Sequence, residues 1–169
     1  MAFLRRGPGL PDHVARVVRG KVLAAAEAED GTWLVATRDV WSPVTPDGAT
    51  EVIPWERVHR ADWDQDSATL RVERVEDYGA PVNPQSWTVP EPGPLVDVLR
   101  ERVTASVVMQ RRVDLEKRRG FSIIARRPPS RPGEVTWAYE LDAGVDPDDP
   151  AVAAAAEAAL REAQESLGL

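Results

Sequence analysis

Apolar residues near the start of the chain recur at helical spacing. Leu10, Val14, Val17 and Val18 would lie on one side of a helix, and the pattern stops before a glycine, a residue that often ends helices. The spacing predicts a short amphipathic helix over residues 11–19.

Two strands and a hairpin are predicted next. Residues 21–28 and 32–40 predict strands, and the Asp-Gly pair between them is typical of a tight hairpin turn. The alanines of the first segment would also suit a helix. Residues 41–50 are rich in Pro, Asp and Gly and predict a loop, which leads to a short strand that Pro54 ends.

Residues 59–73 predict an antiparallel hairpin with its turn at Gln65-Asp66. In this register one face is apolar apart from a histidine, and the other face is polar. The predicted cross-strand pairs are Trp63 with Ala68, Ala61 with Leu70, and His59 with Val72.

The second half of the chain predicts one strand, a helix, three more strands and a final helix. Residues 85–89 form the single strand, and a stripe of Leu and Val predicts the helix over residues 94–105. The three later strands cover residues 107–115, 121–126 and 135–142. Asp149 can cap the last helix, whose predicted buried stripe is Val152, Ala156, Leu160, Ala163 and Leu167.

The order of these elements is helix, about six strands, helix, three strands, helix, which predicts a mainly antiparallel α+β fold. We expect residues 1–106 to form a curled sheet or partly open barrel with an N-terminal helix and a capping helix. We expect residues 107–169 to form a three-stranded meander with a C-terminal helix, packed on the first part as one compact unit. A parallel α/β fold is disfavoured because helices and strands do not alternate.

Composition limits the chemistry that the protein can perform. The chain of 169 residues is 43% hydrophobic and has six tryptophans, which suits one compact core. It has no cysteine, which excludes disulfides, thiolate metal ligands and a thiol nucleophile. The longest apolar runs are well short of the ~20 residues of a membrane helix, and residues 1–14 contain a Gly-Pro-Gly break where a signal peptide needs an apolar region. We therefore expect a cytoplasmic protein.

The charges are segregated along the chain. The net charge is −7, yet residues 100–131 hold ten Lys or Arg against three Asp or Glu. Most of these cations would gather on one predicted hairpin and its end, where they could bind phosphate groups of nucleic acid or acidic lipid. The candidate binding residues are Arg111, Arg112, Lys117, Arg118, Arg119, Arg126 and Arg127. Alternatively, the arginines only protect a strand edge and pair with acidic residues of the same chain.

Trp41 is a further candidate binding residue. It lies beside the predicted loop, next to Ser42 and Pro43, so we expect it to be exposed and able to anchor a partner. Four other tryptophans lie in predicted strands and are expected in the core: Trp33, Trp63, Trp87 and Trp137.

Residues 62–73 imitate the ligand spacing of an EF-hand calcium loop, with Asp62 first and Glu73 last. Two features argue against calcium. Ser67 occupies the sixth position, where the sharp turn needs glycine, and the segment that follows alternates like a strand. In the predicted hairpin, Glu73 also lies ~13 Å along the strand from the partner of Asp62. We predict neither a metal site nor a cofactor.

The histidines and serines form no recognisable catalytic pattern. Only His13 and His59 are present, and no serine has the flanking glycines of a nucleophile elbow. His59 could act as a general base with Asp62 nearby, but the predicted register places their side chains on opposite faces. We therefore predict no catalytic residue, and an enzyme that uses His59 and nearby carboxylates is the least favoured hypothesis.

Residues 21–40 and 51–72 resemble the strand pattern of bacterial pleckstrin-homology-like (PH-like) domains, in which an isoleucine-proline-aromatic stretch, here residues 53–55, precedes a hairpin. The resemblance covers residues 21–105, and the three strands and the helix after it depart from that pattern. Nearly the whole chain also resembles a family of uncharacterised actinobacterial proteins of about this length. The resemblance implies a binding or assembly module, by analogy of fold.

Three hypotheses about function follow. The favoured one is a non-enzymatic binding or scaffolding module with a protein partner, because the negative net charge opposes general attraction to nucleic acid or anionic membranes. The second is an anion-binding module that uses the arginine-rich hairpin. The third is the enzyme that uses His59.

Overall fold

A computed structural model describes residues 9–169, apart from the side chain of Lys117. This part of the chain has three helices, α1 (Asp12–Val17), α2 (Leu95–Ser106) and α3 (Pro150–Ser166). Between α1 and α2 lie β1 (Val22–Glu27), β2 (Trp33–Thr37), β3 (Val40–Val44), β4 (Ile53–Pro54), β5 (Val58–Asp64), β6 (Thr69–Arg74) and β7 (Gln85–Thr88). Between α2 and α3 lie β8 (Val107–Asp114), β9 (Gly120–Arg126) and β10 (Thr136–Leu141). Within this range, none of the helices is long and apolar enough to cross a bilayer.

The strands form three antiparallel sheets. The first sheet joins β1, β2, β3 and β4 in that order, the second joins β5, β6 and β7, and the third has the order β10, β9, β8. No sheet closes into a barrel within residues 9–169. The predicted α+β class with antiparallel pairing is confirmed, although seven strands rather than about six precede α2.

Strand β3 lies where the sequence predicted a loop. The turn before it is held by Thr37, whose hydroxyl accepts a hydrogen bond from the Val40 amide at 3.0 Å and donates to the Val40 carbonyl at 3.1 Å. Pro43 is tolerated in this strand because its carbonyl accepts a hydrogen bond from the Thr50 hydroxyl, so its backbone points away from β2. The prediction of a loop over residues 41–50 was therefore wrong for the part that forms β3.

The same strand buries Trp41. The residue is 0% exposed, and its ring meets that of Trp87 edge to face, with 6.0 Å between the centroids. The expectation that Trp41 is exposed was wrong, because β3 extends the first sheet across the core instead of leaving it as a loop. Trp41 is consequently a core residue and not a surface anchor.

The β5–β6 hairpin keeps the predicted faces but shifts the predicted register by two residues. Its turn covers residues 65–68, and Asp64 holds this turn by accepting hydrogen bonds from the Ser67 amide and hydroxyl at 2.8 and 2.9 Å. Trp63 consequently opposes Leu70 instead of the predicted alanine. A shift of two residues leaves the side chains of residues 60–64 and 69–73 on their predicted faces, because strand side chains alternate with a period of two.

The main core lies between the first two sheets and α2. Its largest fully buried side chains are Trp41, Trp55, Leu34, Leu70, Leu95 and Leu99. The indole N–H of Trp55 donates to the Thr37 carbonyl at 3.1 Å, so the polar atom of this large side chain is satisfied. Helix α1 covers another part of the first sheet, where Val14 packs with Val35 and Val44.

Helix α3 packs on one face of the third sheet. Phe121 and Ile123 of β9 form a second core with Ala156 and Ala159 of α3. Asp149 caps this helix as predicted, because its carboxylate accepts a hydrogen bond at 2.8 Å from the amide two residues further on. The third sheet and α3 thus form one layered pair.

Candidate binding groove

The seven basic residues that the sequence proposed for anion binding do not share one surface. Side chains alternate along β8, so Arg111 lies on the face that α3 covers and Arg112 lies on the opposite face. Arg126 pairs with Val107 at the far end of the β8–β9 hairpin, ~20 Å along the strand from Gly120 near the tip. The hairpin therefore separates these cations instead of gathering them.

Arg111 and Arg112 are paired with acidic residues of the same chain. Nη2 of Arg111 lies 2.6 Å from Oε2 of Glu162. Arg112 forms a two-pronged ion pair with Asp142, with 2.8 Å between Nη1 and Oδ1. This pairing raises the pKa of Arg112 and lowers the pKa of Asp142. These contacts agree with the alternative that the arginines pair with the acidic part of the chain.

Arg126 is buried, with 3% of its surface exposed. Its guanidinium donates to the Val103 carbonyl at 3.1 Å, the Ser106 hydroxyl at 2.8 Å and the His59 carbonyl at 2.7 Å. Burial lowers its pKa. The side chain joins β9 to β5 and to the C-terminal end of α2, so it is not available to an external anion.

The tip of the β8–β9 hairpin keeps Arg118 and Arg119 exposed. Arg118 has a φ of 61°, in the left-handed region, and Nη1 of Arg119 donates to the Gly144 carbonyl at 3.1 Å. The backbone of Lys117 lies in the same short turn. Arg127 lies at the other end of the hairpin, where its amide is bonded to the end of α2.

A groove of about 320 Å³ lies between the second and third sheets. One side is lined by residues 138–142, which end β10, and the other by residues 73–77, which end β6 and begin the next loop. Val145 and Pro147 also line it, and the Tyr78 hydroxyl donates to the Pro147 carbonyl at 3.2 Å. The groove thus lies where the first part of the chain meets the meander.

Strand β10 is an edge strand, and its open edge runs along this groove. Side chains alternate between the two faces of a strand, so a groove on one face would be lined by every second residue. Five consecutive residues of this segment line the groove, which therefore lies beside the strand edge. On the paired edge, the Asp142 amide donates to the Gly120 carbonyl at 3.0 Å. Because hydrogen-bonded pairs alternate in antiparallel strands, the backbone groups of Trp137, Tyr139 and Leu141 point to the open edge. Within residues 9–169, none of these three amides donates to a backbone carbonyl outside the sheet.

The groove has more negative than positive side chains. Five carboxylates line it against one arginine, Arg74, which is paired with Glu51. Three of these carboxylates also have partners: Glu73 with Arg71, Glu140 with Arg60, and Asp142 with Arg112. Glu76 and Asp77 form no salt bridge with any side chain that the structure describes. These two carboxylates leave unbalanced negative charge on one side of the groove.

His59 lines the groove from β5. A bulge between Val58 and Arg60 removes it from the regular ladder, so its predicted pairing with Val72 was wrong. Burial, and then the positive charge of Arg126, lowers the pKa of His59 below its ordinary value, so the ring is neutral at pH 7. Its Nδ1 is enclosed without a hydrogen-bond partner among residues 9–169.

The segment with calcium-loop spacing is a strand hairpin. Asp62 opposes Arg71 and Glu73 opposes Arg60, so Glu73 lies two residues, ~7 Å, beyond the partner of Asp62. The predicted separation was too large because the turn is two residues longer than expected. No group of three or more His, Cys, Asp or Glu in the described part of the chain is arranged to hold a metal ion.

Sequence reasoning did not identify the groove. The alternation over residues 135–142 predicts β10 correctly, but the open edge follows from the strand order of the third sheet, which no local pattern shows. The acidic residues around position 76 were the only local signal, and charged loops are common at any surface. Comparison with known proteins adds no assignment, since the chain matches no protein-family model, no curated protein and no solved structure.

Proposed function

We propose that this chain is a non-enzymatic, cytoplasmic binding module whose partner is a protein held in the groove between the second and third sheets. The observation that carries the proposal is this groove of about 320 Å³, with two unpaired carboxylates, Glu76 and Asp77, on one side. Unbalanced charge beside a concave surface favours a partner of opposite charge. The net charge of −7 disfavours general attraction to nucleic acid or acidic membranes.

We also propose that residues 21–105 form a PH-like unit and that the chain belongs to the actinobacterial family that it resembles. Two observations support the first part. A four-stranded and a three-stranded sheet precede α2, and α2 packs against β1, β2 and β5 as a capping helix would. The role of a binding or assembly module comes from analogy of fold.

The other two hypotheses have a narrower structural basis. Anion binding at the tip of the β8–β9 hairpin rests on Arg118 and Arg119, because Arg126 is buried and Arg111 and Arg112 are paired. An enzyme would rest on the neutral ring of His59, whose nearest groove carboxylates are engaged by arginines. Neither arrangement favours its hypothesis over protein binding.

The proposal is tested by site-specific cross-linking in the native host. A photo-activated benzoylphenylalanine replaces Val82, which lines the groove and is 56% exposed. The matched control carries the same group in place of Val108, which lies on β8 outside the groove lining and is 45% exposed. We expect a discrete cross-linked partner protein from position 82 only.

Two results would contradict the proposal. Cross-links from position 108 alone, or equal cross-links from both positions, would place the partner elsewhere on the molecule. No cross-link from either position would argue against a protein partner. It would favour the two other hypotheses, anion binding at the hairpin tip and an enzyme that uses His59.

A further inference from the structure

We propose that the partner binds by adding an extended basic strand to the open edge of β10. This inference rests on the proposed function and specifies its binding mode and the chemistry of the bound segment. The inference is based on the open edge of β10. The side chains on both sides of that edge define which partner sequence can bind there.

The backbone of β10 offers a template for another strand. The N–H and C=O groups of Trp137, Tyr139 and Leu141 point to the open edge, away from β9, and the last two of these residues line the groove. The backbone of each of these three residues presents one hydrogen-bond donor and one acceptor, which an added strand can satisfy. The groove follows residues 138–142, which corresponds to ~17 Å of strand or about five partner residues.

The two faces of β10 differ in chemistry. Trp137, Tyr139 and Leu141 border the core with α3 and are apolar. Glu140 lies on the opposite face, where it binds Arg60 of β5 with 2.9 Å between Oε1 and Nη2. Directly opposite residues of paired strands share a face. A strand beside β10 would therefore place its apolar residues opposite the three apolar residues and its alternate residues opposite Glu140.

The alternate residues of the added strand are inferred to be basic. They would lie on the face of Glu140 and Asp142, with Glu76 and Asp77 on the other side of the groove. Lys and Arg side chains are long enough to cross such a groove and meet the unpaired carboxylates. The fitting segment thus alternates apolar and basic residues, and charge complementarity favours it over an acidic or uniformly apolar one.

The first test uses a capped heptapeptide that alternates valine and lysine, titrated into the full chain. We expect binding that weakens with added salt, and no binding of the same peptide with glutamate in place of lysine. Two methylated versions separate strand addition from charge alone. In an antiparallel arrangement the valine amides point to β10, so N-methylation of the valines should abolish binding and N-methylation of the lysines should not.

Hydrogen exchange reports the same event residue by residue. The amides of Ala138 and Glu140 face β9, whereas those of Trp137, Tyr139 and Leu141 point to the open edge of β10. With peptide at ten times its Kd, the three amides of the open edge should exchange about tenfold more slowly, because exchange then requires release of the peptide. The amides that face β9 serve as the internal control and should change much less.

A charge-reversal pair tests the acidic side of the groove. Glu76→Lys/Asp77→Lys should weaken the lysine peptide on the order of tenfold, since each rim charge contributes a fraction of a kcal/mol and is reversed rather than removed. Glu27→Lys/Glu91→Lys is the matched control, because these exposed residues lie outside the groove and change the net charge equally. An equal loss of peptide affinity in both variants would show that the groove is not the binding site.

The outcomes also separate this inference from the proposed function. Cross-linking at position 82 together with no peptide binding, or with equal binding of both methylated peptides, would overturn strand addition and leave the protein partner standing. Open-edge amides that are already protected in the concentrated free protein would overturn a separate partner, because a second copy would then occupy the edge. Peptide binding with the expected exchange pattern supports the inference even before the cross-linked partner is identified.

Discussion

Arg126 is buried although its charge is typical of a surface residue. The sequence grouped it with surface cations, yet its guanidinium satisfies two backbone carbonyls and a hydroxyl inside the protein. A buried cation needs such partners, because leaving it unpaired costs several kcal/mol. Its charge also acts on His59, the neutral ring beside it. Local sequence cannot distinguish this arginine from an exposed one, since only the packing of β9 against β5 and α2 decides its surroundings.

His59 should make stability depend on pH. Its folded pKa is lowered below the ordinary value of 6.5, so the folded protein resists protonation that the unfolded chain accepts. The contribution of His59 to the free energy of unfolding is fully present above about pH 6.5. It is lost as the pH falls below that value, with a slope of at most about 1.4 kcal/mol per pH unit. Urea unfolding of the wild type and of His59→Gln, between pH 7.5 and pH 5, measures this difference.

The stability advantage of the wild type over His59→Gln should shrink as the pH falls. His13→Gln is the control, because it keeps His59 and should retain the pH dependence. A difference between wild type and His59→Gln that stays constant across this range would show that the ring is not held neutral by its surroundings.

Among the elements, those with strong local signals were predicted best. Helix α3 begins at the predicted cap, and β8, β9 and β10 lie where alternation placed them. Strand β3 was not predicted because proline is typical of loops. Only the pairing with the neighbouring strand shows that the missing N–H of Pro43 removes no hydrogen bond from the ladder with β2. The register of β5 and β6 depended on the length of one turn, which the side chain of Asp64 sets.

The cap of α3 provides a prediction at this scale. Asp149→Ala removes the acceptor that binds the amide of Ala151, and a lost N-cap costs about 1 kcal/mol. For a chain of this size the melting temperature should fall by roughly 2–4 °C. Asp148→Ala is the matched control, because it removes the same charge one residue away without removing the cap. Equal losses in the two variants would mean that charge, and not the cap, stabilises this end of α3.

For the whole molecule, segregation of charge along the sequence is only partly retained on the surface. Arg111 binds Glu162 and Arg112 binds Asp142, so two cations of the basic segment are paired with acidic residues distant in sequence, and Arg126 is buried. Such exposed pairs contribute little stability each. Together with the burial of Arg126, they reduce the positive surface that nucleic acid or an acidic membrane would require.

The hairpin tip allows this conclusion to be tested. Wild-type protein at micromolar concentration should show no salt-sensitive binding to duplex DNA or acidic vesicles, and Arg118→Glu/Arg119→Glu should leave the melting temperature nearly unchanged because both residues are exposed. Filter binding and vesicle sedimentation at two salt concentrations measure the first point. Arg16→Glu/Arg19→Glu, at the end of α1 and just after it, is the control with the same change of charge, because both residues are exposed.

A contrary result at the tip would have a clear signature. Each phosphate contact to duplex DNA would contribute a slope of about −0.9 in log affinity against log salt concentration. Binding with such a slope that Arg118→Glu/Arg119→Glu removes, and that Arg16→Glu/Arg19→Glu retains, would establish the anion-binding hypothesis instead.

The sequence by itself determined the α+β class, most element positions and the faces of most strands. These properties follow from local periodicity, capping residues and turn residues, which act over a few positions of the chain. The tertiary structure alone decided which polar groups are enclosed, as for Arg126, and which cations are paired. It also decided which strand of the third sheet has a free edge beside the carboxylates near β6. The groove unites residues more than sixty positions apart, and no local pattern contains the distance between them.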